Sequence, residues 1–152
     1  MIEGDIVPNF ISYDENGAEF ELYKNLDKLL LLVFYPRDNT PVCSAQLAEY
    51  NDRLDDLIKM GIRIVGISTD TTYSHFEFCR KLKLNFHLLS DKDKKVSKLF
   101  DAINFLGMPK RKLVLINSEK RIVWISSTLP VTYMKTSEIL KKIKLLNSKE
   151  MT

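Results

Sequence analysis

Apolar positions change period several times along this chain, and each change predicts an element. Residues 29–35, LLLLVFY, form a continuous apolar run, the pattern of a central strand buried on both faces. From residue 42 to 59 the period lengthens. Leu47, Tyr50, Leu54, Leu57 and Ile58 fall at helical spacing, and Gly61 ends the helix. IRIVGIS, residues 62–68, predicts a second, β-branched strand, and residues 72–83 a helix that brings Phe76, Cys79 and Leu82 near one another. FHLLS then reads as a short strand or a sheet edge. Ser90 with Asp93 resembles a capping box opening a helix with Val96, Leu99 and Phe100 inward. KLVLIN and RIVWIS predict two antiparallel strands turned at Ser118-Glu119-Lys120. Residues 133–146 close the pattern as a helix carrying Ile139, Leu140, Ile143 and Leu146. Upstream of all these, NFISYDENGAEFEL predicts two short strands around Asn16-Gly17, a strong hairpin signal.

The order is a hairpin, then β-α-β-α-(β)-α, then β-β-α. Alternation followed by a final hairpin and helix argues for an α/β architecture. We expect a mixed central β-sheet with helices on both faces and an N-terminal β-hairpin. That order fits a thioredoxin-like sandwich better than a fully parallel nucleotide-binding sheet, and neither GxGxxG nor a P-loop motif occurs.

Composition narrows the function classes. A length of 152 residues predicts one domain over 1–152, enough chain to bury about two-thirds of its unfolded surface. The chain is 45% hydrophobic and 28% charged, ordinary for a globular protein. Its net charge is +3, and the densest basic cluster, Lys141-Lys142 to Lys144, reads as a solvated helix face. The stripe that tracks phosphates is missing, so no nucleic-acid partner is expected. No run approaches the roughly 18 apolar residues of a membrane span. The acidic start, Met1-Ile2-Glu3-Gly4-Asp5, lacks a signal pattern, so a cytoplasmic location and no membrane partner are expected. There, two cysteines are not a disulfide scaffold, and a disulfide would more often be transient and catalytic.

One of those cysteines stands where the first long strand gives way to a helix, in YPRDNTPVCSAQ. Thr40 is a good N-cap and Pro41 suits the first helical position, which puts Cys43 at the third. Free backbone N–H groups and the positive end of the helix dipole favour a thiolate there, and a thiolate is the nucleophilic form. The bland alternative is a small buried hydrophobe, which is what most free cysteines are. Position alone does not decide between them. By the same standard, Lys110-Arg111-Lys112 taken alone is an exposed basic turn before a strand.

The residues around Cys43 resemble those of the peroxiredoxins, the alkyl hydroperoxide reductase/thiol-specific antioxidant family. Pro36, Thr40 and Cys43 stand in that family's P-x-x-x-T/S-x-x-C spacing. IVGISTD, SHFEFCRKLKLNFHLLSD and GMPKRKLVLIN are similar to later blocks in the same order, so the likeness covers most of residues 1–130. The subgroup it most resembles is the bacterioferritin comigratory protein, or Q, type. The resemblance implies a thiol peroxidase without cofactor or metal, acting on hydrogen peroxide and organic hydroperoxides. Cys43 would be the peroxidatic cysteine, attacking one peroxide oxygen and becoming a sulfenic acid. Thr40 would supply a hydroxyl, Val42 and Cys43 backbone N–H groups, Arg111 a fixed cation, and Pro36 a shield against water. A capping Thr40 would compete for the Cys43 N–H, so its hydroxyl is expected to engage sulfur or substrate instead.

The resemblance also implies a role for Cys79. Some members of the subgroup carry a resolving cysteine five residues after the first, where this chain has Ala48; others carry it on the later helix, which Cys79 matches. Recycling would fall to thioredoxin or a similar dithiol reductant, and the subgroup is often monomeric. Gln46 stands where Glu is common, removing a carboxylate that could tie the pocket to Arg111, and Val42 stands where Gly is common. Alternatives remain open at this level. Cys79 could be structural in a one-cysteine peroxidase, or the chain a thioredoxin-fold binding protein without activity. A thiol–disulfide exchanger predicts C-x-x-C, whereas Ser44-Ala45-Gln46 follow Cys43. A metal module built on His75, Cys79, Cys43 and His87 rests on a single i,i+4 pair, and His75 reads more simply as a partly exposed helix residue.

Overall fold

The computed structural model describes residues 1–150. Residues 151 and 152, the last two of the expected domain, lie outside the described residues. Strands are β1 (Ile11–Tyr13), β2 (Glu19–Glu21), β3 (Leu29–Phe34), β4 (Ile62–Ser68), β5 (Leu88–Ser90), β6 (Arg111–Ile116) and β7 (Ile122–Thr128). Helices are α1 (Pro41–Asp52), α2 (Leu54–Lys59), α3 (Thr72–Leu82), α4 (Lys95–Leu99) and α5 (Thr136–Glu150), with a 3-10 turn at Leu22–Asn25. The strands form one mixed sheet in the order β2-β1-β5-β4-β3-β6-β7. β3, β4 and β5 run parallel, while β6 pairs antiparallel with β3, β7 with β6, β1 with β5 and β2 with β1. The predicted hairpin forms, with Gly17 at φ +75, and it extends the sheet beyond β5.

The apolar run of β3 is buried on both sides, and strand alternation sorts it. Leu31, Val33 and Tyr35 face a core shared with Cys43, Leu47 and Tyr50 of α1, Leu57 of α2, Phe78 of α3, and Ile139 and Ile143 of α5. Leu30, Leu32 and Phe34 face a second core with Val96 and Phe100 around α4, and Leu22 of the 3-10 turn. The helices therefore cover both faces, as expected, with the longer ones on a single side. The same alternation divides β6: Leu113 and Leu115 join the first core, Val114 and Ile116 the second. Arg111, two residues before Leu113, thus falls on the α1 side. Lys112 falls on the other, where its Nζ donates to the Phe100 carbonyl at 2.7 Å.

Four local expectations are corrected. The helix expected over 42–59 is two, divided at Arg53, which leaves Ile58 exposed rather than inward. FHLLS supplies the short strand expected, but inside the sheet rather than at its edge, because the hairpin pairs with its outer side. The Ser90–Asp93 capping box does not form. The buried Asp91 carboxylate instead accepts from the Val96 and Ser97 N–H groups at 3.0 and 2.6 Å, opening α4, and Ser90 Oγ donates to the Asp70 carbonyl. The last helix begins at Thr136 rather than 133.

One glycine is dictated by close approach. A Cβ on Gly66 of β4 would stand 2.6 Å from Leu88 Cδ2 and 3.2 Å from the Tyr35 ring. The bare backbone there lets the Tyr35 ring lie across the sheet directly after β3.

Candidate active site

Cys43 sits at the third position of α1 and is 1% exposed. Thr40 is the N-cap in extended backbone and Pro41 opens the helix, as the sequence predicts. The first backbone bond of the helix is Ser44 N–H to the Thr40 carbonyl at 2.8 Å, so the Val42 and Cys43 N–H groups precede it and belong to the unpaired first turn. Thr40 makes no side-chain cap. Its hydroxyl donates to the Arg37 carbonyl at 3.2 Å, rather than engaging sulfur, so its lone pairs are uncommitted. Pro36 is half-buried in the same loop.

Arg111 is buried, not part of an exposed turn. Its Nη2 lies 3.4 Å from Cys43 Sγ and donates also to the Pro130 carbonyl at 3.0 Å. Its Nη1 donates to Gln46 Oε1 at 2.5 Å. The tie expected to be lost with the Glu is therefore made by an amide oxygen. Gln46 Nε2 in turn donates to Tyr50 at 3.2 Å, and the Tyr50 hydroxyl donates to the Met134 carbonyl at 2.5 Å. Burial raises the Tyr50 pKa well above its ordinary value, so the phenol stays a donor. Glu49 extends the strap by accepting from Thr136 N–H and Oγ1 at 2.6 and 2.8 Å, which opens α5. One face of α1 thus fixes both the guanidinium and the segment behind it. Arg111 Nε is the one buried side-chain nitrogen or oxygen without a partner among the described residues.

Cys79 is half-buried on α3, and both thiols are free. It packs against the same core cluster that contains Cys43. Its pKa is pushed up to about 12, first by burial and then by the negative charges of Glu15, Asp38 and Asp14. Iodoacetamide at pH 8 should therefore alkylate Cys79 about a thousandfold more slowly in the reduced folded protein than after unfolding. Equal rates, read by peptide mass, would contradict the protected environment.

His75 is fully buried, not partly exposed. It stands three residues before Phe78 and seven before Leu82, the inward spacing of α3, and that spacing was the available signal. Its Nδ1 lies 2.7 Å from Asp38 Oδ2 and its Nε2 3.0 Å from the Leu89 carbonyl. The metal set weighed as an alternative, His75, Cys79, Cys43 and His87, does not assemble among the described residues. His75 gathers with Asp38 and Asp70, His87 with Asp14 and Glu15, and neither cysteine belongs to either group. In the first group the oxygens already face donors: Tyr35 and Ser74 hydroxyls on Asp38, the Ser68 hydroxyl and the Asp38 N–H on Asp70.

Residues 4–125 match the AhpC/TSA family. The chain belongs to that family. Peroxiredoxin Q of the wheat (Triticum aestivum) chloroplast is 34% identical over 125 residues, which cover 81% of this chain and 58% of the wheat protein. Peroxiredoxin Bcp of Escherichia coli K12 is 39% identical over 97 residues, 64% of this chain and 62% of that protein. The chain thus spans less than two-thirds of the length of either curated relative. A cysteine-to-serine mutant of PrxQ from Xylella fastidiosa superposes with a TM-score of 0.85 at 29% identity, over 95% of this chain and 96% of that one. The fold is the thioredoxin-like fold of these peroxiredoxins, with the mixed seven-stranded sheet. No helix among the described residues is long and apolar enough to cross a membrane.

Proposed function

We propose that this chain is a thiol-dependent peroxidase of the Q type, one domain over residues 1–152, reducing hydrogen peroxide and organic hydroperoxides at Cys43. The observation that carries the proposal is the guanidinium of Arg111 held 3.4 Å from Cys43 Sγ at the start of α1. The cation and the positive end of the helix dipole both face the sulfur that must carry negative charge in the attack. The thiolate attacks one peroxide oxygen, sulfur gains that oxygen, and the O–O bonding pair leaves on the other, which takes a proton to become water or an alcohol. Negative charge moves from sulfur toward the leaving oxygen. Arg111 Nε and the first-turn N–H groups are the donors available along that path, and the Thr40 hydroxyl, whose proton goes to the Arg37 carbonyl, offers its lone pairs to the peroxide O–H. Pro36 would limit water at the sulfur.

Cys79 would resolve the product. Its thiol gives a proton and its sulfur attacks the sulfenic sulfur, releasing water and leaving a Cys43–Cys79 disulfide for thioredoxin or a similar dithiol protein to reduce. A bond needs the two Cα atoms within about 7 Å, so residues 40–48, Cys79 or both must move. Cytoplasmic location would keep the resting thiols reduced, and a monomer would suffice, since every proposed group comes from one chain. A second reading is favoured by the protected environment of Cys79, in which it is structural and the enzyme is a one-cysteine peroxidase. Non-reducing peptide mapping after one equivalent of peroxide decides between them. A Cys43–Cys79 bond within one chain is expected; a persistent Cys43 sulfenic acid beside a free Cys79 would establish the second.

A further inference from the structure

The loop that leads into α1 is also held by α3, through side chains that hydrogen-bond neither Cys43 nor Arg111. The Asp38 carboxylate, buried in that loop, accepts from the Tyr35 hydroxyl at 2.6 Å, the Ser74 hydroxyl at 2.8 Å and His75 Nδ1 at 2.7 Å. Its backbone N–H donates to Asp70 Oδ2 at 2.8 Å. His75 Nε2 faces the Leu89 carbonyl and Nδ1 faces a carboxylate oxygen, so both ring nitrogens have a partner. A hydrogen bond to a carboxylate is of the charge-assisted kind. The next residue, Asn39, sits at φ +62, a conformation Asn tolerates, and accepts from Lys81 Nζ at 2.6 Å. Three side chains of α3, Ser74, His75 and Lys81, thus grip two consecutive loop residues.

The other end of α1 is anchored separately. Asn51 donates to the Lys83 carbonyl and accepts from the Asn85 N–H, and Tyr50 and Glu49 hold the segment before α5. The last turn of α1 therefore has anchors that do not depend on the loop. Cys79 follows His75 by one turn of α3, so the helix that grips the loop also carries the thiol that Cys43 would have to meet.

We propose that the Asp38–His75 pair is a latch: it holds the Cys43 loop in the peroxide-reducing conformation, and its release is what lets the first turns of α1 unwind so that Cys43 reaches Cys79. Asp38 and His75 are positioning residues, since neither touches the sulfur. The latch sets the fate of the sulfenic acid. While closed, a second peroxide can add an oxygen to Cys43 to give a sulfinic acid, itself reduced to water or an alcohol. Once open, Cys79 forms the disulfide with loss of water. The arm concerned with Cys79 rests on the proposed function above; the arm concerned with the loop does not.

Asp38→Asn tests the latch against Asp91→Asn, which removes a buried carboxylate whose oxygens accept from the start of α4 rather than from α3 and serves as the control for lost stability. Loss of a charge-assisted hydrogen bond is expected to raise amide exchange of residues 44–47 about tenfold or more, leaving β3, β4 and β6 unchanged. In the same variant peroxide oxidation of Cys43 should slow, the disulfide should form faster, and sulfinic acid at high peroxide should fall severalfold, all read by mass. Asp91→Asn should move none of these. If Asp38→Asn fails to fold, Ser74→Ala and Lys81→Ala each remove one strand of the grip and should move the same readouts in the same directions. Equal exchange and equal partition in the loop variants and the control would overturn the latch. A wild type that forms no Cys43–Cys79 bond would contradict the role of Cys79 instead, and the exchange comparison would then judge the latch alone.

Discussion

Cys43→Ser should abolish peroxide consumption while leaving the fold intact. The substitution replaces a small buried side chain with one of nearly the same shape, and the Arg111 donor 3.4 Å away can bond an oxygen as readily as a sulfur. What is lost is the nucleophile. A serine hydroxyl is not ionised near neutral pH, and among the described residues no imidazole or carboxylate hydrogen-bonds this position to act as its base; the His75–Asp38 pair is engaged with Tyr35, Ser74 and Leu89. Turnover with a dithiol reductant should fall to the level of the reductant alone. Residual turnover at more than a few per cent of wild type would mean that Cys79, or chemistry elsewhere, carries the reaction.

Arg111→Met should have the next largest effect, lowering the rate of peroxide attack by about 10²–10³-fold, the usual loss when one charge-stabilising donor is removed. In the proposed reaction the cation faces the negative charge as it passes from sulfur to the leaving oxygen. A second cost falls on the fold. Gln46 Oε1 and the Pro130 carbonyl lose their donor, and unpaired buried acceptors cost about 1–3 kcal/mol each. Denaturant unfolding separates the two, because the kinetic loss should persist where the variant is fully folded. Arg111→Lys keeps the charge but cannot reach sulfur, Gln46 and Pro130 with one planar fork; it should recover only part of the rate.

The parts of this molecule legible in the sequence are those set by local spacing. The period of β3, the Asn16-Gly17 turn and the Thr40-Pro41 helix start all follow from chain-local rules, and they place Cys43 correctly. Arg111 was legible only through resemblance. Lys110-Arg111-Lys112 carries no local sign of burial, and what buries Arg111 is the two-residue alternation of β6 combined with β6 lying beside β3, which is a fact of sheet order. Gln46 was misjudged for a related reason. The loss of a carboxylate was visible, but that its amide oxygen would bridge Arg111 to Tyr50 depends on α5 and residues 130–134 closing over α1. His75 was missed although its spacing to Phe78 is inward, because burying an imidazole needs partners for both nitrogens, and these come from residues 38 and 89, far away in the chain. The division of the 42–59 helix at Arg53 has no Gly or Pro to announce it.

A titration of the reduced wild-type protein with hydrogen peroxide, followed by peptide mass, tests the central claim most directly. One equivalent of peroxide should be consumed per chain within seconds at micromolar concentration, with the oxidation on Cys43 and none of it in Cys43→Ser. Slow oxidation shared between Cys43 and Cys79, at the rate of an ordinary free thiol, would contradict it.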